Sequence, residues 1–152
     1  MTSTGIVSLV ERIAVVLTQS VATIAPLVEL LGDVDRKYAG SGYYLQPRDE
    51  RLESVWVAIR VVVGEQEDVA HVQLELKADN ELTLGDLNRT FGSWSAQPPA
   101  PRAVRHTVAY YPEPPTSRPH RLAVFAETDD IPSAESVSVR SITLRRDGGP
   151  SA

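Results

Sequence analysis

The chain contains no cysteine in 152 residues. That excludes a disulfide framework, a thiolate metal site, an iron–sulfur cluster and a cysteine nucleophile. Histidine is scarce too. His71, His106 and His120 stand 35 and 14 residues apart, which is no metal-ligand spacing, so no metal is expected. Lysine is limited to Lys37 and Lys77 among 15 basic residues. Against 20 acidic residues these give a net charge of −5, a poor footprint for nucleic acid. There is no Gly-x-Gly-x-x-Gly, no phosphate-binding loop, no His-Glu-x-x-His and no Gly-x-Ser-x-Gly. The longest uncharged run, residues 13–28, is sixteen residues, short of the roughly 20 apolar residues of a spanning helix. Ser20-Val21-Ala22 imitates a signal-peptide cleavage site, but Glu11 beside Arg12 is not a basic leader. These absences point to a cytoplasmic protein with no cofactor, no metal, and neither a nucleic-acid nor a membrane partner. The preference for Arg over Lys, with abundant Ala and Val, is the codon signature of a GC-rich bacterial genome.

What is present is ordinary globular material: 42% hydrophobic and 23% charged residues. Apolar residues at Ile6, Val10, Ile13, Leu17, Ile24, Leu27 and Leu31 follow heptad spacing and predict a long helix over 5–31. Val7, Ala14, Val21 and Val28 widen its apolar surface beyond a single stripe. Two arrangements fit: burial across one sheet face, or packing on the sheet and on a second copy as well. Pro26 removes a backbone donor and is expected to kink or restart the helix. Residues 33–54 read as a polar connector, with a short edge strand at Tyr43-Tyr44.

Alternation over 55–63 and 69–78 predicts a hairpin with Trp56, Arg60, His71, Gln73, Glu75 and Lys77 on one face. Thr83 is placed to cap a short helix over 84–91, with Asp86 returning the bond and Gly92 ending it. Three strands follow within 104–145: 104–111, 122–128 and 137–145, the last with a bulge near Arg140-Ser141. Seven of eleven prolines fall between 98 and 119, marking stiff connections. The expected fold is one α+β domain over 1–146 with a polar tail at 147–152. It has a mostly antiparallel sheet of five to six strands, the long helix on one face and the short helix between strands.

Aromatic residues are only 6% of the chain, so their clustering carries information. Each Tyr of a strand pair takes one face. Tyr43, Tyr44, Trp56, Arg60, His71 and Trp94 are therefore candidate binding residues, since exposed Tyr and Trp beside Arg dominate interfaces. For Trp56 two placements stay open: covered by the Tyr43-Tyr44 segment, or part of a recognition patch or the lining of a cavity. Ile6, Val10, Ile13, Leu17, Ile24 and Leu27 are the candidate homodimer interface. No catalytic set is assigned. If the protein is an enzyme, Glu127, His106, Tyr110 and Glu75 are its acid–base candidates.

No family motif is present. In element order alone, the chain resembles small acidic dimeric chaperones and adaptors, and also the cone-shaped, nuclear-transport-factor-like fold of small cyclases and isomerases. The first resemblance implies a non-enzymatic, homodimeric binding module whose other partner is a protein, in the manner of an adaptor, chaperone or immunity protein. The second implies a cofactor-free enzyme with an apolar cavity in the sheet.

Overall fold

The computed structural model describes residues 2–19, 22–61, 67–97, 104–112 and 121–147. Helices α1 (Thr2–Leu17) and α2 (Ile24–Leu31) come first. Strands β1 (Val34–Tyr38), β2 (Gly42–Leu45), β3 (Leu52–Val61) and β4 (Glu67–Leu76) follow. Helix α3 (Leu84–Phe91) leads to β5 (Ser95–Ala96), β6 (His106–Tyr110), β7 (Arg121–Thr128) and β8 (Ser141–Asp147). All eight strands form one antiparallel sheet in the order β1-β2-β3-β4-β8-β7-β6-β5. Two four-stranded meanders thus meet along β4 and β8, and α3 carries the chain from one to the other. No helix among the described residues is long and apolar enough to cross a membrane.

The pairing register lines apolar residues across the sheet. Leu45, Val55, Leu74, Ile142, Ala126 and Val108 stand opposite one another in six neighbouring strands. The next row is Tyr43, Val57, Val72, Leu144, Val124 and Tyr110. Both rows are buried, and the helices lie over them. Leu17 of α1, Leu27 and Leu31 of α2, and Leu84 and Leu87 of α3 complete this core.

The sheet has eight strands, not five to six. The two additions are edge strands: β1 is exposed along its whole length, and β5 has two residues. Neither presents an apolar alternation. Strand β8 runs two residues past 145, to Asp147, which pairs with Arg121; residues 148–152 lie outside the described residues. Tyr43-Tyr44 is not at the edge, because β1 covers it. The bulge read at Arg140-Ser141 is instead the start of β8. Before it, Ser138 bridges Thr83, and Val139 donates to the Leu82 carbonyl at 3.0 Å. The proline-rich stretches 98–101 and 113–119, His120 and most of the loop before Glu67 lie outside the described residues.

The predicted 27-residue helix is two helices. Its heptads run through the break unchanged, because Leu17 and Ile24 are seven residues apart. At the end of α1 the Thr18 hydroxyl donates to the Ala14 carbonyl at 2.9 Å, and the Gln19 amide donates to Val15 O at 3.1 Å. The Gln19 side chain takes the Val15 carbonyl that a continuing helix would have used, since the Gln19 N–H turns to Val16 O instead. Pro26 sits in the first turn of α2, where a backbone N–H has no helical acceptor, so its ring costs little. It restarts the helix rather than kinking it. The short helix has the predicted cap. Asp86 N–H reaches the Thr83 hydroxyl at 3.4 Å, and Thr83 N–H donates to the Asp86 carboxylate at 3.0 Å.

Ile6, Val10, Ile13, Leu17 and Leu27 are all fully buried against the chain's own sheet, with Ile24 half-buried beside them. The face predicted for a second copy is therefore occupied within the monomer.

One charged pair ties the helix break to the sheet. Arg146 of β8 binds Asp68 of β4, with only 2% and 7% of the two side chains exposed. Arg146 also donates to the Gln19 carbonyl at 2.8 Å, and Asp68 accepts the Ala22 N–H at 2.9 Å. Burial by itself would raise the Asp68 pKa. The Ala22 hydrogen bond, the Arg146 charge and the bond from Arg60 outweigh it and hold the carboxyl below its ordinary 3.8.

Replacing Asp68 by Ala leaves the Arg146 guanidinium buried without its counter-ion, and is expected to cost about 3–5 kcal/mol in urea unfolding at pH 7. Because the folded pKa is depressed, Asp68's stabilisation is complete above the unfolded value and fades as pH falls through the lower folded one. The gap between wild type and Asp68→Asn should therefore be full at pH 6 and shrink below about pH 4. A constant gap contradicts the ion-pair assignment. Leu17→Asp is expected to unfold the monomer by circular dichroism; a folded variant would show that α1 is not core.

Candidate functional site

All three helices pack on the apolar rows, and among the described residues no helix lies on the other sheet face. Its central row is Tyr44, Trp56, Gln73, Thr143, Phe125 and Ala109. On one side of it lie Ser54, Glu75, Ser141, Glu127 and Thr107. On the other lie Ala58, His71, Arg145 and Ala123.

The carboxylates of this face are held by arginine. Arg105 binds Glu75 at 2.7 Å, and lies 3.6 Å from Glu127 and 3.4 Å from Asp129. Arg140 holds Asp129 at 2.6 Å, and the Ser141 hydroxyl donates to Glu127 at 2.7 Å. Glu75 and Glu127 do converge, but on a guanidinium. Tyr110 is on the helix-covered face, where its hydroxyl donates to the Leu84 carbonyl at 3.1 Å. Burial, then the Glu135 charge, pushes its pKa up. His106 pairs with Thr128 and shares the parity of Val108 and Tyr110, so it lies on the face away from Glu127. The four acid–base candidates are thus divided between two faces. Among the described residues, no group of His, Asp or Glu is arranged to hold a metal.

The binding candidates divide more productively. Tyr43 turns into the core, with its hydroxyl on Glu67 and the Lys37 ammonium 5.5 Å from its ring centre. Burial, then the Glu67 bond, pushes its pKa up to about 12. Tyr44 takes the opposite face, as alternation requires. Trp94, after α3, is half-buried against the core, away from Trp56. Arg60 pairs with Asp68 at 3.2 Å. His71 is half-buried opposite Arg145, and burial, then the Arg145 charge, lowers its pKa.

Tyr44 and Trp56 stay together, and β1 adds Tyr38. Ring centres are 4.7 Å apart for Tyr44–Trp56, 6.0 Å for Tyr38–Tyr44 and 6.1 Å for Tyr38–Trp56. Two of the three rings remain open, Tyr38 being 44% and Tyr44 40% exposed. Tyr44 packs on Trp56, which is half-buried, and the open rings are those of Tyr38 and Tyr44. Sequence reasoning missed Tyr38, because the strand that carries it has no apolar pattern.

The patch borders a groove of about 450 Å³, lined by Asp35, Arg36, Tyr38, Tyr44, Pro47 and Glu53 among others. Its two carboxylates have a shared origin. Val34 and Arg36 face neighbouring residues of β2, so Asp35 is the extra residue of a bulge. Leu52 and Ser54 face neighbouring residues of β4, so Glu53 is another. Bulges re-aim side chains, and these two place acid on opposite sides of the groove. Arg36 adds a guanidinium, its pKa raised by the Tyr38 hydroxyl, first as a hydrogen-bond partner and then through its charge. Gly42 sets the depth of the cluster. A Cβ there would fall 2.8 Å from the Trp56 ring and 2.2 Å from the Val57 carbonyl oxygen.

Comparison of the chain with protein-family models, with curated proteins and with solved structures finds no match.

Gly42→Ala is expected to push Trp56 out of its seat while leaving the helices in place. In a Trp94→Phe background the near-ultraviolet dichroism and tryptophan emission should shift, with a stability loss of about 1–3 kcal/mol. Unchanged spectra would mean that Gly42 does not position Trp56.

Proposed function

We propose that the chain is a non-enzymatic protein-binding module. It engages another protein through the Tyr38–Tyr44–Trp56 edge and associates with its own kind. The observation that carries this reading is the pair of exposed rings, Tyr38 and Tyr44, packed on the half-buried Trp56 beside Arg36 at the β1 side of the sheet. Large rigid rings next to an arginine supply contact area at low entropic cost, which is why such residues form the energetic centres of interfaces. A soluble chain does not gain by exposing aromatic surface that nothing covers. The reading retains the cytoplasmic location and the bacterial source expected from composition. Self-association is assigned to this edge, because α1 buries its heptad face inside the monomer.

The alternative, a cofactor-free cyclase or isomerase, is supported less. Its acid–base residues are split between the two faces, and Glu75 is bound to Arg105.

The test is native mass spectrometry of the tagged chain recovered from its host, compared with Tyr44→Ala. Tyr44 is exposed, so this substitution leaves the core intact. A second protein at fixed stoichiometry, retained at least tenfold less by the variant, is expected. A bound species of only about a few hundred daltons, or a partner held equally by Tyr44→Ala, contradicts the reading.

A further inference from the structure

Resting on that protein-binding reading, we propose that the groove receives the proline-rich segment 112–119 of a second copy of this chain. The partner copy then supplies the residues that fill the site.

Aromatic-lined grooves recognise proline-rich strands, because proline rings stack on flat side chains and the extended strand is already stiff. The rings of Tyr38, Tyr44 and Trp56 provide such a surface, with centres 4.7 to 6.1 Å apart. The segment reads Pro112-Glu113-Pro114-Pro115-Thr116-Ser117-Arg118-Pro119. A polyproline helix has three residues per turn and rises about 3.1 Å per residue. In that conformation Pro112, Pro115 and Arg118 share one edge, about 9 Å apart. Two prolines meet the rings, and the arginine follows one turn later.

Charge selects the same occupant. Asp35 and Glu53 stand at the groove, placed there by two separate bulges. Glu53 has no ion-pair partner among the described residues. Arg118 supplies the missing cation, and Glu113 supplies a carboxylate for Arg36. Both signs on the segment have a counterpart on the groove.

Geometry requires that the segment come from another copy. Pro112 follows β6, five strand spacings from β2 in the sheet order. At about 4.8 Å per spacing, the distance is about 24 Å. The chain must also return to β7, next to β6, by Arg121, so it cannot lay this segment in its own groove. The groove and the strands that flank the segment, β6 and β7, lie in opposite halves of the sheet. Two copies therefore either exchange segments about a two-fold axis or join head to tail.

The probe is a synthetic peptide of residues 110–121, titrated against the full chain carrying Trp94→Phe, with Trp56 emission as the signal. Saturable binding is expected, weakened at least tenfold by Tyr44→Ala or Tyr38→Ala in the protein and by Pro112→Ser with Pro115→Ser in the peptide. Sedimentation velocity of the full chain should show concentration-dependent association that each set of substitutions abolishes. Mixing the Tyr44→Ala chain with the Pro112→Ser/Pro115→Ser chain should restore a one-to-one complex, since each retains the half the other lacks. A protein that is folded by circular dichroism, does not respond to the peptide and stays monomeric overturns the proposal. If Tyr44-dependent capture of another protein survives that result, only the identity of the occupant falls. If it is lost as well, the protein-binding reading falls with it.

Discussion

The constraint on which the rest depends is the one-sidedness of the eight-stranded sheet. Its register places Leu45, Val55, Leu74, Ile142, Ala126 and Val108 on one face, and a one-residue slip in any strand would turn that strand's apolar set to water. Three helices are needed to cover that face, and α1 and α2 give it their apolar sides. The opposite face of the sheet is then the one that carries aromatic and charged side chains together.

Charge on this molecule divides into structure and display. Asp68 and Arg146 are buried together and fasten the α1–α2 break to β4 and β8. Arg105 gathers Glu75, Glu127 and Asp129, which turns carboxylates of catalytic type into a cross-strand clamp. At the β1–β3 edge the pattern reverses. Asp35 and Glu53 are pushed out by bulges, and Arg36 lies among open rings. The β1 bulge and its charges also blunt the exposed strand edge against indiscriminate pairing, so contact there has to be made through side chains.

Much of this was legible in the residues, for physical reasons. Alternation disclosed β3 and β4 because each has one face in the core, while β7 was legible as a run apolar on both faces. The Thr83–Asp86 cap and Gly92 bounded α3 because capping chemistry is local. The split of Tyr43 and Tyr44 between faces followed from the two-residue period. What stayed hidden lacked a local signal. The break after Leu17 preserves the heptad phase, so no pattern of apolar residues could expose it. Val34–Tyr38 is held by its neighbour's backbone rather than by burial of its own side chains, and Tyr38 was missed with it. The convergence of Glu75 and Glu127 on Arg105 depends on the β4–β8–β7 pairing between residues far apart in the chain.

The central claim is that the Tyr38–Tyr44–Trp56 edge, and not the outer side of α1, is the face that meets a partner. The most direct measurement places a photo-reactive phenylalanine analogue at Tyr38 in one chain and at Val15 in another, and irradiates both in the host cell. Val15 is 50% exposed on α1, so the two positions are comparably accessible. The account predicts discrete protein adducts from position 38 and none from position 15. Adducts from position 15 alone, or from neither, would contradict it.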